Sequence, residues 1–395
     1  MKINLTSQNK NLLIISLIAM VNMLGYGIII PIVYAYSQKF GLTDFQNGLL
    51  FAIYSVCQFI STPVIGRLSD KYGRRPMLIL SIIGTAISFF IMAFAPSAIF
   101  LFLARALDGI TAGNIPVAMA VVSDSTKPEE RAKAFGMIGS AFNFGFVFGP
   151  AIAALTVGIW EPLPFVIAGV ITVIAAVLTY FYLPETNAYI GTTKNERLFD
   201  FPKMWRTLFD KELGTTFVIT LIFYLAFACA IIFGFQPYTL NILKLDASGN
   251  AALFTLFGVV GLIAQNFFVA RFSKSLGMKK AFSVSILFTS LAFVIMGFSG
   301  ILPIFIISAI ILALFNSVVQ TLIPTIISQE ADEESQGSIM GLSASYQSIG
   351  MIFGPILGGA VATIAVPAPF VVGSLLILVC FGLSVNIFRS KDKIV

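Results

Sequence analysis

Twelve apolar runs decide what this chain can fold into, because each is close to the ~20 residues that carry a helix across a bilayer. They fall near residues 11–34, 45–66, 76–95, 98–123, 133–157, 163–183, 214–237, 250–270, 280–299, 302–328, 338–364 and 368–388. Only 11% of the residues are charged and 58% are hydrophobic, whereas soluble domains carry roughly 25% charged residues. The chain therefore reads as an all-α, multi-spanning membrane protein. Its polar start, MKINLTSQNK, leads straight into the first run. There is no short apolar core with a small-residue cleavage site, so the first run is expected to remain as a membrane helix.

The basic residues orient these spans. With the N-terminus inside, 21 of the 24 Lys and Arg residues lie in inner segments, Lys39 and Lys244 lie outside, and Arg105 lies within a span. That asymmetry predicts a cell-membrane protein with both termini cytoplasmic. It also accounts for the net charge of +6 without invoking nucleic acid. One inner loop, Gln329 to Gly337, is acidic (Glu330, Asp332, Glu333, Glu334), but acidic residues contribute little to orientation.

The chain repeats itself. GRLSDKYGRR, from Gly66, follows the second run, and ARFSKSLGMKK, from Ala270, follows the eighth, so that Arg67, Ser69 and Gly73 match Arg271, Ser273 and Gly277. GFVFGP, from Gly145, recurs as GMIFGP, from Gly350. Two motifs at nearly one offset imply two six-helix bundles related by a pseudo-twofold axis along the membrane normal. The expected division is 1–183, a linker at 184–213, and 214–395. The linker should carry a short amphipathic helix, since Phe201, Met204, Trp205, Leu208 and Phe209 recur beside Lys203, Arg206 and Lys211.

What is missing narrows the chemistry. The chain has no histidine, which excludes histidine metal sites and general bases. Cys57, Cys229 and Cys380 are far apart in apolar runs and lack disulfide or metal-ligand spacing. No GxxxxGK[ST] loop is present, so ATP-driven transport is not expected. Neither an enzyme nor a bound cofactor or metal is predicted; an ion gradient should supply the energy. A proton is favoured over sodium because one titratable carboxylate is present without a dense cluster of oxygen ligands.

That carboxylate is Asp108, in LFLARALDGITAGNIPVAMAVVSD, the fourth run. A charge near mid-membrane costs about 2.5–3.5 kcal/mol on insertion scales, so it calls for a reason. Arg105 lies three residues earlier, on the same helical face. Burial raises a carboxylate's pKa and a guanidinium lowers it, so Asp108 could load and release a proton as access alternates. A permanent, self-neutralising ion pair is the other reading.

At these residues the sequence resembles the major facilitator superfamily, and within it the twelve-span drug:proton antiporter group that includes the tetracycline efflux proteins. GRLSDKYGRRPML matches the loop signature between helices 2 and 3. Arg105 and Gly109 match the helix 4 signature, Gly145, Gly149 and Pro150 the antiporter signature, and Asn22 to Pro31 the helix 1 pattern. Two positions depart from the group. Asn22 replaces a common Asp, and Ala153 and Ala154 stand where two glycines usually end the helix 5 signature. The resemblance implies proton transfer near Arg105 and a monomer. It also implies a conformational latch built from Gly66, Arg67, Asp70, Gly73, Arg74 and Asp124, with Gly66 and Gly73 permitting tight turns, Asp70 facing a helix N-terminus and Arg74 or Arg67 pairing with Asp124. Gly145, Gly149, Pro150 and their repeats Gly350, Gly354 and Pro355 should let helices 5 and 11 pack against the opposite bundle and bend.

Polar residues within spans are candidates to line the substrate cavity. They are Asn22, Tyr26, Tyr54, Gln58, Asn114, Asn143, Tyr224, Gln236, Gln265, Asn266, Asn316, Gln320, Tyr346 and Gln347. With 39 phenylalanines available, a large apolar pocket for amphipathic or drug-like compounds is expected. The expected function is export of such compounds in exchange for protons. A proton-coupled carrier of a sugar or amino acid, or a lipid flippase, is the alternative.

Overall fold

The computed structural model describes residues 7–126, 130–187, 201–210, 213–330 and 336–391, and every regular element among them is helical. The first half holds α1 (Ser7–Ile29), α2 (Asp44–Tyr72), α3 (Arg74–Ala93), α4 (Ala98–Ser125), α5 (Arg131–Thr156) and α6 (Leu163–Tyr182). The second holds α7 (Gly214–Asn241), α8 (Ala247–Leu276), α9 (Met278–Phe298), α10 (Leu302–Glu330), α11 (Gln336–Ala362) and α12 (Ala368–Lys391). Among the described residues, 11 helices are long and apolar enough to cross a membrane. The remaining one, α11, has 27 residues, about 40 Å of helix, and occupies the run predicted at 338–364. The polar part of the linker, 188–200, and the acidic turn, 331–335, lie outside the described residues, as do Lys127 and Lys211.

Four runs are not continuous α-helices. One of them, α8, passes through a π-helical stretch, Ala264–Phe268, with no proline in it; in the other three a proline explains the break. Pro31 has no N–H to bond the Gly27 carbonyl, so α1 stops at Ile29 instead of running to residue 34, and the chain restarts as the short helix Val33–Gln38. Pro116 likewise cannot bond the Ala112 carbonyl, and α4 changes to a 3-10 turn over Ala112–Asn114 between Ala98–Thr111 and Ile115–Ser125. In α7, Pro237 leaves the Phe233 carbonyl without its helical donor, and a π-helical stretch, Ala228–Gly234, precedes it.

By Cα proximity the described residues form two compact units, one drawn from 7–41, 53–187 and 247–255, the other from 42–52, 201–246 and 256–391. Each takes the opening turns of one helix from the other half of the sequence. In the first unit, the start of α8 is fastened by Ser248, whose hydroxyl donates to the Ala154 carbonyl at 2.5 Å, and by Asn250, whose amide donates to the Pro31 carbonyl. In the second, the start of α2 lies against α11, where a Cβ on Gly359 would come within 2.7 Å of the Asp44 carbonyl.

The interiors differ in composition. The first unit packs aliphatic side chains: Ile14, Ile15, Ile18 and Val21 of α1 meet Leu78 and Ile82 of α3 and Val117, Val121 and Val122 of α4. The second packs rings. Tyr238 stacks on Phe305 at 5.5 Å and meets Phe370 edge-on at 5.3 Å, and its hydroxyl lies 3.2 Å from Ser299 Oγ. Lipid is as apolar as either interior, so dispersion contacts and interhelical hydrogen bonds such as Ser290 Oγ to Ser374 Oγ, 2.8 Å, hold these helices together.

Candidate functional site

The opening half of α4 is strongly one-sided. Leu101, Ala104, Arg105, Asp108 and Gly109 form its buried face, whereas Leu103 and Ile110 are about half exposed, at 52% and 48%. Arg105 is 1% exposed and Asp108 is 7% exposed, so the pair points into the first unit and away from its periphery. Arg105 Nη1 donates to Asp108 Oδ2 at 3.1 Å. The guanidinium also lies over the Tyr54 ring of α2, 4.3 Å from its centroid, and Arg105 Nε has no hydrogen-bond partner.

The break in α4 begins one turn after the acid, and neighbouring hydroxyls bond the groups just before it. Ser81 Oγ of α3 donates to the Thr111 carbonyl at 2.5 Å, Thr85 Oγ1 lies 2.9 Å from Thr111 Oγ1, and Ser61 Oγ of α2 donates to the Gly109 carbonyl at 3.3 Å. Beside the break is a cavity of about 20 Å³ lined by Asn22, Met23, Tyr26, Tyr54, Thr85, Asp108, Ala112 and Ile115. That is room for roughly one water molecule and its polar partners, and far too small for a drug. A larger concavity of about 410 Å³ lies between α3 and α6; its walls, including Ile83, Ile87, Val173 and Phe181, offer almost nothing to orient a polar ligand.

Four of the sequence candidates thus meet at one small cavity: Asn22, Tyr26, Tyr54 and Asp108. Two more are attached to it. Asn22 Nδ2 donates to Asn114 Oδ1 at 3.0 Å, and Gln58 Nε2 donates to the Tyr54 hydroxyl at 3.4 Å. Asn143 and Tyr224 are half-buried on α5 and α7, the latter edge-on to Phe223 at 5.6 Å. Gln236 is fully buried in α7, and Asn316 in α10 is buried with its Oδ1 unpartnered. Gln265, Asn266, Gln320 and Gln347 are exposed, and Asn266 bonds the Leu262 carbonyl of its own helix. Tyr346 corrects the expectation of a cavity residue. It is buried, and its hydroxyl donates to the Met204 carbonyl at 2.5 Å, which ties the linker helix Phe201–Thr207 to α11. On that helix Met204 is buried while Trp205 is exposed; its ring lies 5.5 Å from that of Phe209, also exposed.

A second cluster joins α2, α3 and α4 at their ends. Gly73 has φ 105°, a conformation that favours glycine, and forms the turn between α2 and α3. Gly66 does not: it lies inside α2, which continues to Tyr72, and a Cβ there would meet nothing within 4 Å. Arg74 gathers the cluster, with Nη1 2.5 Å from Asp70 Oδ1 and 2.6 Å from Ser69 Oγ, and Nε 3.4 Å from Asp124 Oδ2. Arg67 is half-buried and makes none of these contacts. Sequence reading missed Glu185, just beyond α6. Its two oxygens accept from the backbone N–H groups of Arg74 and Arg75 at 2.9 and 3.1 Å. A signal was present, however: with Gly73 as its cap, α3 has no side chain of its own for its first N–H groups and needs an acceptor from elsewhere.

The glycines of the paired motifs face the first helix of their own half of the sequence, while Pro355 also lies against the start of α2, where a Cβ on Gly48 would collide with its carbonyl. A Cβ on Gly149 would lie 2.6 Å from the Leu24 carbonyl of α1; one on Gly354 would lie 2.7 Å from the Leu225 carbonyl of α7. The reason is reciprocal: α1 offers Gly27 at the same crossing, where its own Cβ would meet Pro150 at 3.0 Å.

Comparison with known proteins places this architecture. The chain is 28% identical over 402 residues to multidrug resistance protein 2 of Bacillus subtilis (strain 168), covering 100% of this chain and 98% of that protein. It is 27% identical over 364 residues to the class H tetracycline resistance protein of Pasteurella multocida, covering 88% of each. A solved bacterial homologue of the human lysosomal transporter Spinster, in an inward-facing and unoccupied conformation, superposes with a TM-score of 0.81 at 17% identity over 98% of both chains. A family model matches residues 15–265 and 216–393. By that match the chain, a multi-pass membrane transporter and not an enzyme, belongs to the Major Facilitator Superfamily.

Proposed function

We propose that this transporter exports small amphipathic, drug-like compounds in exchange for protons, with Asp108 carrying the proton beside Arg105. The carrying observation is the buried pair itself: a carboxylate 3.1 Å from a guanidinium, on a helix that breaks one turn after it, opening on a polar cavity. Relatives named for multidrug and tetracycline resistance support the substrate class. Intramembrane acids of this kind mark proton relays. Protonating Asp108 removes the charge that neutralises Arg105, and so changes the relative stability of two access states. A substrate that binds one state better then couples its own movement to the proton's. The reading includes a monomer in the cell membrane with both termini cytoplasmic, no bound cofactor, and a linker helix resting its exposed Trp205 and Phe209 on the inner surface. It also takes the Arg74 cluster as a latch that favours one access state.

The test is uptake of ethidium and of tetracycline into inside-out vesicles under an imposed pH gradient. Asp108→Asn should reach the membrane at the wild-type level and lose gradient-driven uptake of both. Full uptake by that variant would move the proton site elsewhere.

A further inference from the structure

Arg105 poses a problem for any cycle in which Asp108 takes up a proton. A guanidinium does not give up its charge in a protein, and this one is 1% exposed. Its only carboxylate partner among the described residues is Asp108. When that acid is neutral, the cation is left in low dielectric without a counter-charge. Nε makes no hydrogen bond that could help. One further group faces the charge: the ring of Tyr54, centred 4.3 Å from Cζ. An aromatic face attracts a cation through its quadrupole, and the more so when both are desolvated.

We propose that the Tyr54 ring is the second seat of the Arg105 charge, holding the guanidinium during the part of the cycle in which Asp108 is protonated. This makes Tyr54 a positioning residue, and it rests on the proton-carrying role proposed for Asp108. The surroundings hold the ring in place. Gln58 donates to its hydroxyl at 3.4 Å, and the Tyr26 ring packs against it, tilted, with centroids 5.6 Å apart. The close crossing of α2 and α4 comes from Gly109, since a Cβ there would collide with the Tyr54 backbone carbonyl. Gly109 is one helical turn from Arg105, so the arginine and the glycine of the helix 4 motif act on the same neighbour. The arginine supplies the charge. The glycine lets α2 come close enough to cover it. The titratable groups facing Asp108 are then Arg105 on its own helix, Tyr54 from α2 and Tyr26 from α1.

The ring matters more to the protonated state than to the ionised one, because only then is the cation otherwise unpaired. Weakening the ring must therefore make protonation harder and shift the midpoint of the Asp108 titration towards acid. The experiment replaces Tyr54 by phenylalanine and by phenylalanines carrying one, two and three fluorines, which keep the shape and drain the negative face. Protein in nanodiscs is titrated by infrared difference spectroscopy, and the carboxylic C=O band that disappears in Asp108→Asn is followed. Tyr54→Phe should titrate with the wild type, and the fluorine series should move stepwise to a total of about one pH unit. Gly109→Ala should move the same way. A midpoint that stays constant along the fluorine series overturns the role of the ring while leaving Asp108 as a proton site. A wild-type Asp108 that never titrates removes both.

Discussion

The two halves repeat their backbone devices but not their charges. Gly73 and Gly277 both turn the chain at positive φ, 105° and 77°, between equivalent helices. Gly149 and Gly354 both bring the fifth helix of a repeat against its first. Yet at the offset of 204 residues that relates the loops, Asp70 is matched by Lys274 and Arg74 by Met278. In the membrane the same offset places Ala309 and Leu312 where the first half has Arg105 and Asp108, and both are buried without polar partners. The fold therefore needs the turn and the glycine crossing twice and needs neither charge cluster. Charges that a repeat can omit are better explained by the work of one half than by its stability.

This comparison can be broken most severely at α4. Arg105→Leu leaves a buried carboxylate without its partner, which should destabilise the protein by about 3–5 kcal/mol. Adding Asp108→Leu makes this stretch resemble α10 and should recover most of that loss, because a buried pair replaced by apolar side chains is close to neutral. The double variant should melt near the wild type in detergent, yet drive no uptake. If it melts no higher than Arg105→Leu alone, the pair is structural and α10 is a poor guide to what α4 requires.

The glycine crossings should respond alike in both halves. Alanine at Gly149 puts a methyl 2.6 Å from the Leu24 carbonyl, and alanine at Gly354 puts one 2.7 Å from the Leu225 carbonyl. Backbone cannot give way as a side-chain end can, so each should cost about 1–3 kcal/mol of stability. A large loss at one and none at the other, by thermal melting, would show that the repeats pack by different means. Gly66→Ala, where a Cβ meets open space, serves as the control.

What could be read from the sequence follows the range of the physics. Spans, repeats and the inner charge bias depend on composition along the chain, so they were legible. The Arg105–Asp108 contact was legible too, because three residues on a helix share a face. Most of what failed involves contacts distant in sequence. Glu185 reaches Arg74 across 111 positions, and no local pattern marks it. Tyr54 looked like one polar residue among many until Gly109 set the crossing. Tyr346 was a plausible cavity residue because burial and polarity look the same whether a hydroxyl faces a pathway or, as here, the Met204 carbonyl. Gly66 was misread for a local reason: a glycine beside a loop motif suggests a turn, but α2 carries on through it.

The smallest effect should separate the two loops most sharply, at a pair of matched serines. Ser69 Oγ donates to the Gly66 carbonyl at 2.6 Å and accepts from Arg74 Nη1 at 2.6 Å. Ser273, its repeat, has a buried Oγ with no partner. Removing a hydroxyl that bonds a charged group costs about 1.5–3 kcal/mol at most, less here because Arg74 keeps Asp70 and is partly in water. Removing a hydroxyl that was buried and unsatisfied costs nothing and relieves a desolvation penalty. Ser69→Ala should therefore lower the melting midpoint by a small but measurable amount, about 1 kcal/mol in stability, whereas Ser273→Ala should leave it unchanged or raise it. Equal losses at both would mean that the second loop has a polar contact equivalent to the first, and that the asymmetry between the repeats is confined to the membrane helices.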